Sequence, residues 1–225
     1  MNQELASSTT TNNSTQSMDA MQHLKTVTQP YHRALEQQVN LPALSTSLAS
    51  YRHLLQRFYG FYLPGELQLA RLPWSTVDFD WSARRHTLPL ANDLQWLGET
   101  PATLAALPRC ATLPALYTIP QALGYLYVVE GSTLGGQLIS RQLQQQWPAL
   151  QEAGCQFFQR YGTQVGMMWR SFSHFVNHYV AMHPTAEAAL VDTACATFQQ
   201  LRVWLQDGAS TTLSLDTLPQ RITQE

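Results

Sequence analysis

Between Leu123 and Trp147 the chain reads LGYLYVVEGSTLGGQLISRQLQQQW, a run with the length of a long helix that nevertheless carries glycines at 124, 131, 135 and 136. A glycine inside a helix forgoes roughly 1 kcal/mol relative to alanine, so the four together give up something on the order of 4 kcal/mol of local stability. Such a helix needs a fold that uses the missing side chains. Projected at about 100° per residue, Gly124, Gly131 and Gly135 fall within about 40° of one another, a strip of bare backbone with Gly136 beside it. Two uses fit the strip: a neighbouring helix packed at short range, since small residues let backbones touch, or a flat or bulky group laid against the backbone. Ser132 and Thr133 set hydroxyls next to it, available to backbone carbonyls or to ordered water near a bound group.

The rest of the chain is organised as a container for this helix. With 225 residues, and with polar ends set aside, roughly 190 residues remain, enough for one sizeable core in one domain. Residues 1–17, MNQELASSTTTNNSTQS, have almost nothing to bury and read as a disordered polar tail. Asp19 is placed to cap a helix running to about Gln38, with Leu24, Val27, Tyr31, Leu35 and Val39 at helical spacing. Pro30 predicts a kink or a fresh start, and Asn40-Leu41-Pro42 an end. A second helix starts near Ser45 or Ser47 and runs to Pro64-Gly65, resuming from Glu66 to Leu72. The segment 73–82 is an irregular connection pinned by Trp74, Phe79 and Trp81. A helix over about 83–97 ends at Gly98, and 100–120, with Pro101, Pro108, Pro114 and Pro120, holds turns or short helices at best. Beyond Pro148, residues 155–182 read as one long helix stopped by His183-Pro184. Thr185 caps a last helix to about Gln206, with Gly208 behind it and a loose tail from 209. Nothing alternates at period two for long, which predicts an all-α domain over 18–208, a bundle of about six to eight helices.

Composition narrows the function classes. Hydrophobic residues make up 44% and charged residues 12%, with thirteen cations, of which only Lys25 is lysine, against fifteen acids. With a net charge of −2 and no basic run, neither nucleic acid nor an anionic membrane is expected as a partner. Cys110, Cys155 and Cys195 are odd in number and form no CxxC, as expected of reduced thiols in a cytoplasmic protein. No apolar run has the length of a membrane span, and the N-terminus lacks the order of a signal peptide.

Candidate chemistry centres on the first helix. Lys25, His32 and Glu36 line one face at the edge of its apolar stripe, and His32 and Glu36 are one turn apart, where helical side chains meet. An imidazole that binds a metal through one nitrogen commonly has its other N–H oriented by a carboxylate, a role open to Glu36; a solvated face of mixed charges is the alternative. His174 and His178, also one turn apart, show no third ligand and read as a surface or core-edge pair. The Glu-x-x-His pairs of di-iron bundles, the Gly-x-Ser-x-Gly elbow, the P-loop and the dinucleotide fingerprint are missing from the sequence. Glu130 reads as structural.

These residues resemble a known family. GYLYVVEGSTLGGQLISRQL is similar to the distal helix of the haem oxygenases, and TVTQPYHRALE to their proximal helix with its axial histidine. The likeness continues through NDLQWLG, FFQRYGTQVGMMWRSF and TFQQLRVWL and covers about residues 20–206, with the bacterial type often encoded beside bacteriophytochromes as the nearest pattern. The resemblance implies that His32 is the iron ligand, with Glu36 one turn later, and that Lys25 and Arg170 face the haem propionates. It implies that Gly131, Gly135 and Gly136, with Ser132 between them, lie over the porphyrin. Mammalian members carry an aspartate directly after the first of these glycines, where this chain has Ser132, so distal water is organised differently here. The implied reaction is oxidative opening of haem by O2 to biliverdin, CO and iron. Haem is both cofactor and substrate, electrons come from an external ferredoxin or reductase, and a bacteriophytochrome is the expected acceptor of biliverdin. The same helices also suit a protein that stores haem or another tetrapyrrole without turning it over. A cofactor-free enzyme like the thiamin-degrading relatives has no use for a histidine facing a glycine strip.

Overall fold

The computed structural model describes residues 19–38 and 47–209. The expected stop at Asn40-Leu41-Pro42, the N-terminal tail and almost all of the C-terminal tail lie outside those residues. Among the described residues the fold is all-α, with seven α-helices: α1 (Ala20–Gln38), α2 (Leu48–Leu69), α3 (Thr87–Trp96), α4 (Pro101–Ala106), α5 (Ile119–Gln146), α6 (Val165–Met182) and α7 (Ala186–Ala209). Four short 3-10 turns, at Trp74–Thr76, Ser82–Arg84, Pro148–Gln151 and Gly162–Gln164, join them.

Helix α5 is the axis of the molecule. It starts at a capping box in which the Thr118 hydroxyl takes the Gln121 N–H and the Gln121 side chain returns to the Thr118 backbone, with Pro120 in the first turn, where its missing N–H costs nothing. α5 packs along α7 and against α6, while α1 lies across α7 and α6 and α2 packs on α3. Tyr51, Phe61, Tyr62, Tyr125 and Phe172 are the largest fully buried side chains, so the core is built on aromatic volume.

Neither expected proline break occurs: α1 runs through Pro30 and α2 through Pro64. Pro30 stands on the exposed face, where water can serve the Thr26 carbonyl, while Leu24 and Thr28 are buried and hold the helix on the core. The helix expected over 155–182 begins only at Val165. Upstream, Asp93 of α3 accepts the N–H groups of Gln156 and Phe157, both at 2.8 Å, and Tyr51 donates to the Gly154 carbonyl at 2.8 Å. Gly154, Tyr161 and Gly162 take positive φ values of 86°, 66° and 50°, which a helix cannot accommodate. The segment is therefore a loop folded against α3 and α5. Gly98 ends α3 as expected, with φ 100° and the Glu99 N–H returned to the Leu94 carbonyl. Gly208 does not end the last helix, which continues to Ala209.

Candidate active site

A cavity of about 510 Å³ opens between α1 and α5. From α1 it takes Lys25, Thr28, His32, Arg33 and Glu36, from α5 Tyr127, Gly131 and Ser132, and Trp169 and Phe198 close its sides from α6 and α7. Its size lies within the range of small-molecule and cofactor sites, about 300–1,000 Å³. The walls are aromatic. Tyr127 sits 5.8 Å from Trp169 and 6.5 Å from Phe198, and Phe198 meets the His32 ring edge-on at 5.7 Å. Thr28 donates its hydroxyl to the Leu24 carbonyl at 2.7 Å, and its oxygen lies 3.4 Å from the Tyr127 hydroxyl.

His32 and Glu36 meet as their spacing predicts, with His32 Nδ1 3.3 Å from Glu36 Oε2. The carboxylate thus stands beside the Nδ1 edge of the ring. The His32 side chain is 52% exposed, so the imidazole is held at one end and accessible at the other.

The glycines divide between the two uses open to them. A Cβ on Gly124 would stand 2.2 Å from the Leu190 carbonyl oxygen and 3.0 Å from the Ala194 nitrogen, and one on Gly136 would stand 2.6 Å from the Phe158 carbonyl oxygen. These two glycines let α7 and the 155–161 loop touch the α5 backbone. Gly131 lines the cavity, and its missing Cβ would lie 3.7 Å from the Trp169 ring. At Gly135 a Cβ would meet nothing within 4 Å, so no protein contact explains that glycine.

Behind Ser132 lies a buried polar cluster that periodicity alone did not reveal. Glu130, 1% exposed, takes Arg84 Nη1 at 2.5 Å, the Tyr161 hydroxyl at 2.9 Å and His86 Nε2 at 3.1 Å. Burial alone would raise the Glu130 pKa, but the hydrogen bond and charge of His86, with Arg84 and Tyr161, hold it below the ordinary carboxylate range. Glu66 of α2 supplies the missing cap of α3 by accepting the Thr87 N–H at 2.9 Å and the Thr87 hydroxyl. Tyr62 stacks on His86 with ring centres 5.4 Å apart, and its hydroxyl lies 3.5 Å from Ser132 Oγ. Burial first, and then the negative charges of Glu130 and Glu66, push the Tyr62 hydroxyl up to about 12 against the opposing Ser132 hydrogen bond.

Of the eight residues singled out in the sequence, Lys25, His32, Glu36, Gly131 and Ser132 converge on the cavity. Gly135 lies beyond its lining, Gly136 faces the Phe158 carbonyl, and Arg170 is exposed, with its guanidinium beside Gly166 of its own helix. Arg33, adjacent to His32, is the cation that sequence reasoning passed over; Trp169 and Phe198 were visible only as apolar positions. His174 and His178 open into a separate groove with Asp78 and Asp80. Among the described residues no group of three or more His, Cys, Asp or Glu side chains is arranged to hold a metal ion, and no helix is long and apolar enough to cross a membrane.

Comparison with known proteins matches the chain and its fold to one family. A solved structure of the NO- and CO-bound heme oxygenase from Neisseria meningitidis superposes with a TM-score of 0.64, covering 90% of this chain and 100% of that one at 22% identity, a likeness of fold. A heme oxygenase from Xanthomonas campestris pv. campestris (strain 8004) is 34% identical over 104 residues, 46% of this chain and 59% of that protein. The alignment thus spans just under three-fifths of the length of that relative. The family model described as Heme oxygenase matches residues 18–207, which takes in the cavity, the glycine-bearing helix and the buried cluster together, and the chain belongs to the haem oxygenase family.

Proposed function

We propose that the chain oxidatively opens haem to biliverdin, CO and iron, using O2 and electrons from a separate ferredoxin or reductase. The observation that carries this reading is the cavity between α1 and α5, which the imidazole of His32 lines together with a stretch of helix backbone bare at Gly131. A flat macrocycle fits such a space: two apolar sides, a nitrogen ligand on one face, a side-chain-free helix segment on the other, and the cations Lys25 and Arg33 at the lining for its carboxylates.

In this reading His32 would hold the iron through its imidazole, with Glu36 beside Nδ1 to orient the ring. A neutral imidazole leaves the iron able to bind O2, unlike a thiolate, which favours O–O cleavage. When bound, haem supplies the redox chemistry and is itself the molecule consumed. The protein binds, orients and excludes water: Trp169, Tyr127 and Phe198 wall off the site, and Lys25, with Arg33 as a further lining cation, sets the rotation of the ring in its plane. That rotation decides which ring carbon faces the oxidant. If the bacteriophytochrome type is the correct subtype, the biliverdin serves as that receptor's chromophore.

The test mixes purified protein with haemin. A Soret band that gives way to the biliverdin spectrum on reduction in air supports the oxygenase, whereas a Soret band that persists indicates storage. His32→Ala should lose the imidazole-ligated spectrum and turnover and regain the spectrum with added imidazole, while His174→Ala behaves like the parent. Parental turnover by His32→Ala without imidazole would remove His32 from the site.

A further inference from the structure

A second cavity, of about 620 Å³, lies between α6 and the connection that carries Asp78, Phe79 and Asp80. It shares no lining residue with the cavity between α1 and α5. Its floor is aromatic: the rings of Phe79 and Phe175 stand 4.6 Å apart, and Tyr179 stacks on Phe175 at 6.0 Å.

The feature that calls for a ligand is Arg84, which lines this groove although its side chain is only 4% exposed. Its two hydrogen bonds, to Glu130 Oε2 at 2.5 Å and to the Met168 carbonyl at 3.3 Å, both leave from Nη1. Nε and Nη2 have no acceptor among the described residues, yet neither is sealed away from solvent, so their N–H groups open to the groove. A donor at so buried a charge is costly to leave unpaired, and Nε and Nη2 lie on one edge of the guanidinium, spaced to hold one oxygen between them.

The walls set the rest of the chemistry. Asp80 takes the Ser82 hydroxyl at 2.6 Å and the N–H groups of Ser82 and Ala83 at 3.0 and 3.3 Å, all on Oδ1, which leaves Oδ2 uncommitted. The Ser82 hydroxyl, with the Ala83 N–H behind it, holds this carboxyl below the ordinary range, so Asp80 is ionised at neutral pH. Asp78 is exposed beside it, and His174, His178 and His183 line the same groove. An organic anion would meet the two carboxylates, and a cation would meet the guanidinium. A neutral group with an acceptor and a donor on one edge satisfies both.

We propose that this groove is a second binding site, which takes a flat, uncharged aromatic amide or lactam. The carbonyl oxygen accepts from Arg84 Nε and Nη2, the amide N–H turns to Asp80, and the ring lies on Phe79 and Phe175. The cavity has the volume of a small-molecule site. Because the same guanidinium holds Glu130, the ligand seats against the outer side of the buried cluster.

The experiment titrates the full chain with three probes of one shape, benzamide, benzoate and benzamidine, and follows the Arg84 Nε–H signal by 1H–15N NMR. Benzamide should shift that signal with a Kd of about 1 mM, as expected for so small a probe, and the anion and the cation should each bind about tenfold more weakly. Arg84→Lys keeps the charge beside Glu130 but removes the guanidinium edge, and should weaken benzamide by at least about tenfold, read from the ring signals of Phe175. Ser171→Trp fills the groove from an exposed lining position, away from the buried cluster, and should abolish binding with the parental Tm retained. If Arg84→Lys does not fold, Ser171→Trp decides. An Arg84 signal that stays unmoved up to the solubility limit of benzamide overturns the site. Benzoate or benzamidine binding as tightly as benzamide overturns the ligand class, and undiminished binding to Ser171→Trp overturns the location.

Discussion

Gly124 and Gly135 fall on the same face of α5, yet alanine at the two positions should have opposite effects on stability. At Gly124 the new Cβ would sit 2.2 Å from the Leu190 carbonyl oxygen and 3.0 Å from the Ala194 nitrogen, both backbone atoms of α7 that no rotamer change can move. Overpacking of this kind costs about 1–3 kcal/mol; at the upper end, less about 1 kcal/mol regained in helix propensity, the net loss is about 2 kcal/mol. For a domain of this size that lowers Tm by about 4–8 °C. At Gly135 the Cβ meets nothing within 4 Å, so only the propensity gain remains, about 1 kcal/mol and about 2–4 °C upward. The assay is a paired measurement, apo Tm by calorimetry and single-turnover conversion of haem to biliverdin. Gly124→Ala should melt early, whereas Gly135→Ala should melt late but turn over more slowly, with Gly135→Leu slower still. A rise in Tm for Gly124→Ala would refute the close α5–α7 approach. Parental turnover in both Gly135 variants would show that this glycine does not serve the haem face and that its openness has another cause.

Because Lys25 lines the cavity and Arg170 is exposed outside it, Lys25→Ala should alter the ratio of biliverdin isomers more than Arg170→Ala does, as read by chromatography of the products. An unchanged profile in the double variant would remove both cations from the site. Glu130→Gln leaves the Arg84 guanidinium, 4% exposed, without its counter-charge and should cost about 3–5 kcal/mol in denaturant unfolding. Because its folded pKa lies below the ordinary value, the stabilisation from Glu130 is present above the unfolded carboxylate pKa and lost as pH falls through the folded one, so the gap between parent and Glu130→Gln should close under acid. Asp93 has the opposite sign. Burial, only partly countered by the Phe157 and Gln156 N–H groups, pushes it from 3.8 up to about 6, so its contribution is fully present below pH 3.8 and declines as pH rises through 6. The stability of the parent relative to Asp93→Asn, followed by denaturant midpoint, should therefore fall between pH 4 and pH 6, and a rise across that window would contradict the raised pKa.

Local chemistry was sufficient to read the helical class and many element ends from the chain itself. Ser47 as a cap, Gly98 as a left-handed stop, Pro148 after α5 and His183-Pro184 after α6 all act through atoms a few residues apart, and they act in the folded molecule as their chemistry predicts. The pairing of His32 with Glu36 is local in the same sense, being one helical turn. Tertiary structure decided whatever depended on a partner distant in sequence. Pro30 and Pro64 sit within continuous helices because packing on either side outweighs one missing hydrogen bond. Residues 155–164 leave the helical path because Asp93, far upstream, captures two of their N–H groups. Four glycines that look alike in the sequence separate into packing contacts at 124 and 136, a cavity wall at 131 and open space at 135, because a missing side chain takes its meaning from whatever lies opposite. The cluster around Glu130 and the contact from Tyr62 to Ser132 join residues from α2, α5, the turn before α3 and the loop before α6. No periodicity along the chain encodes such a meeting, since helical spacing reports which face a residue occupies and not what that face will touch.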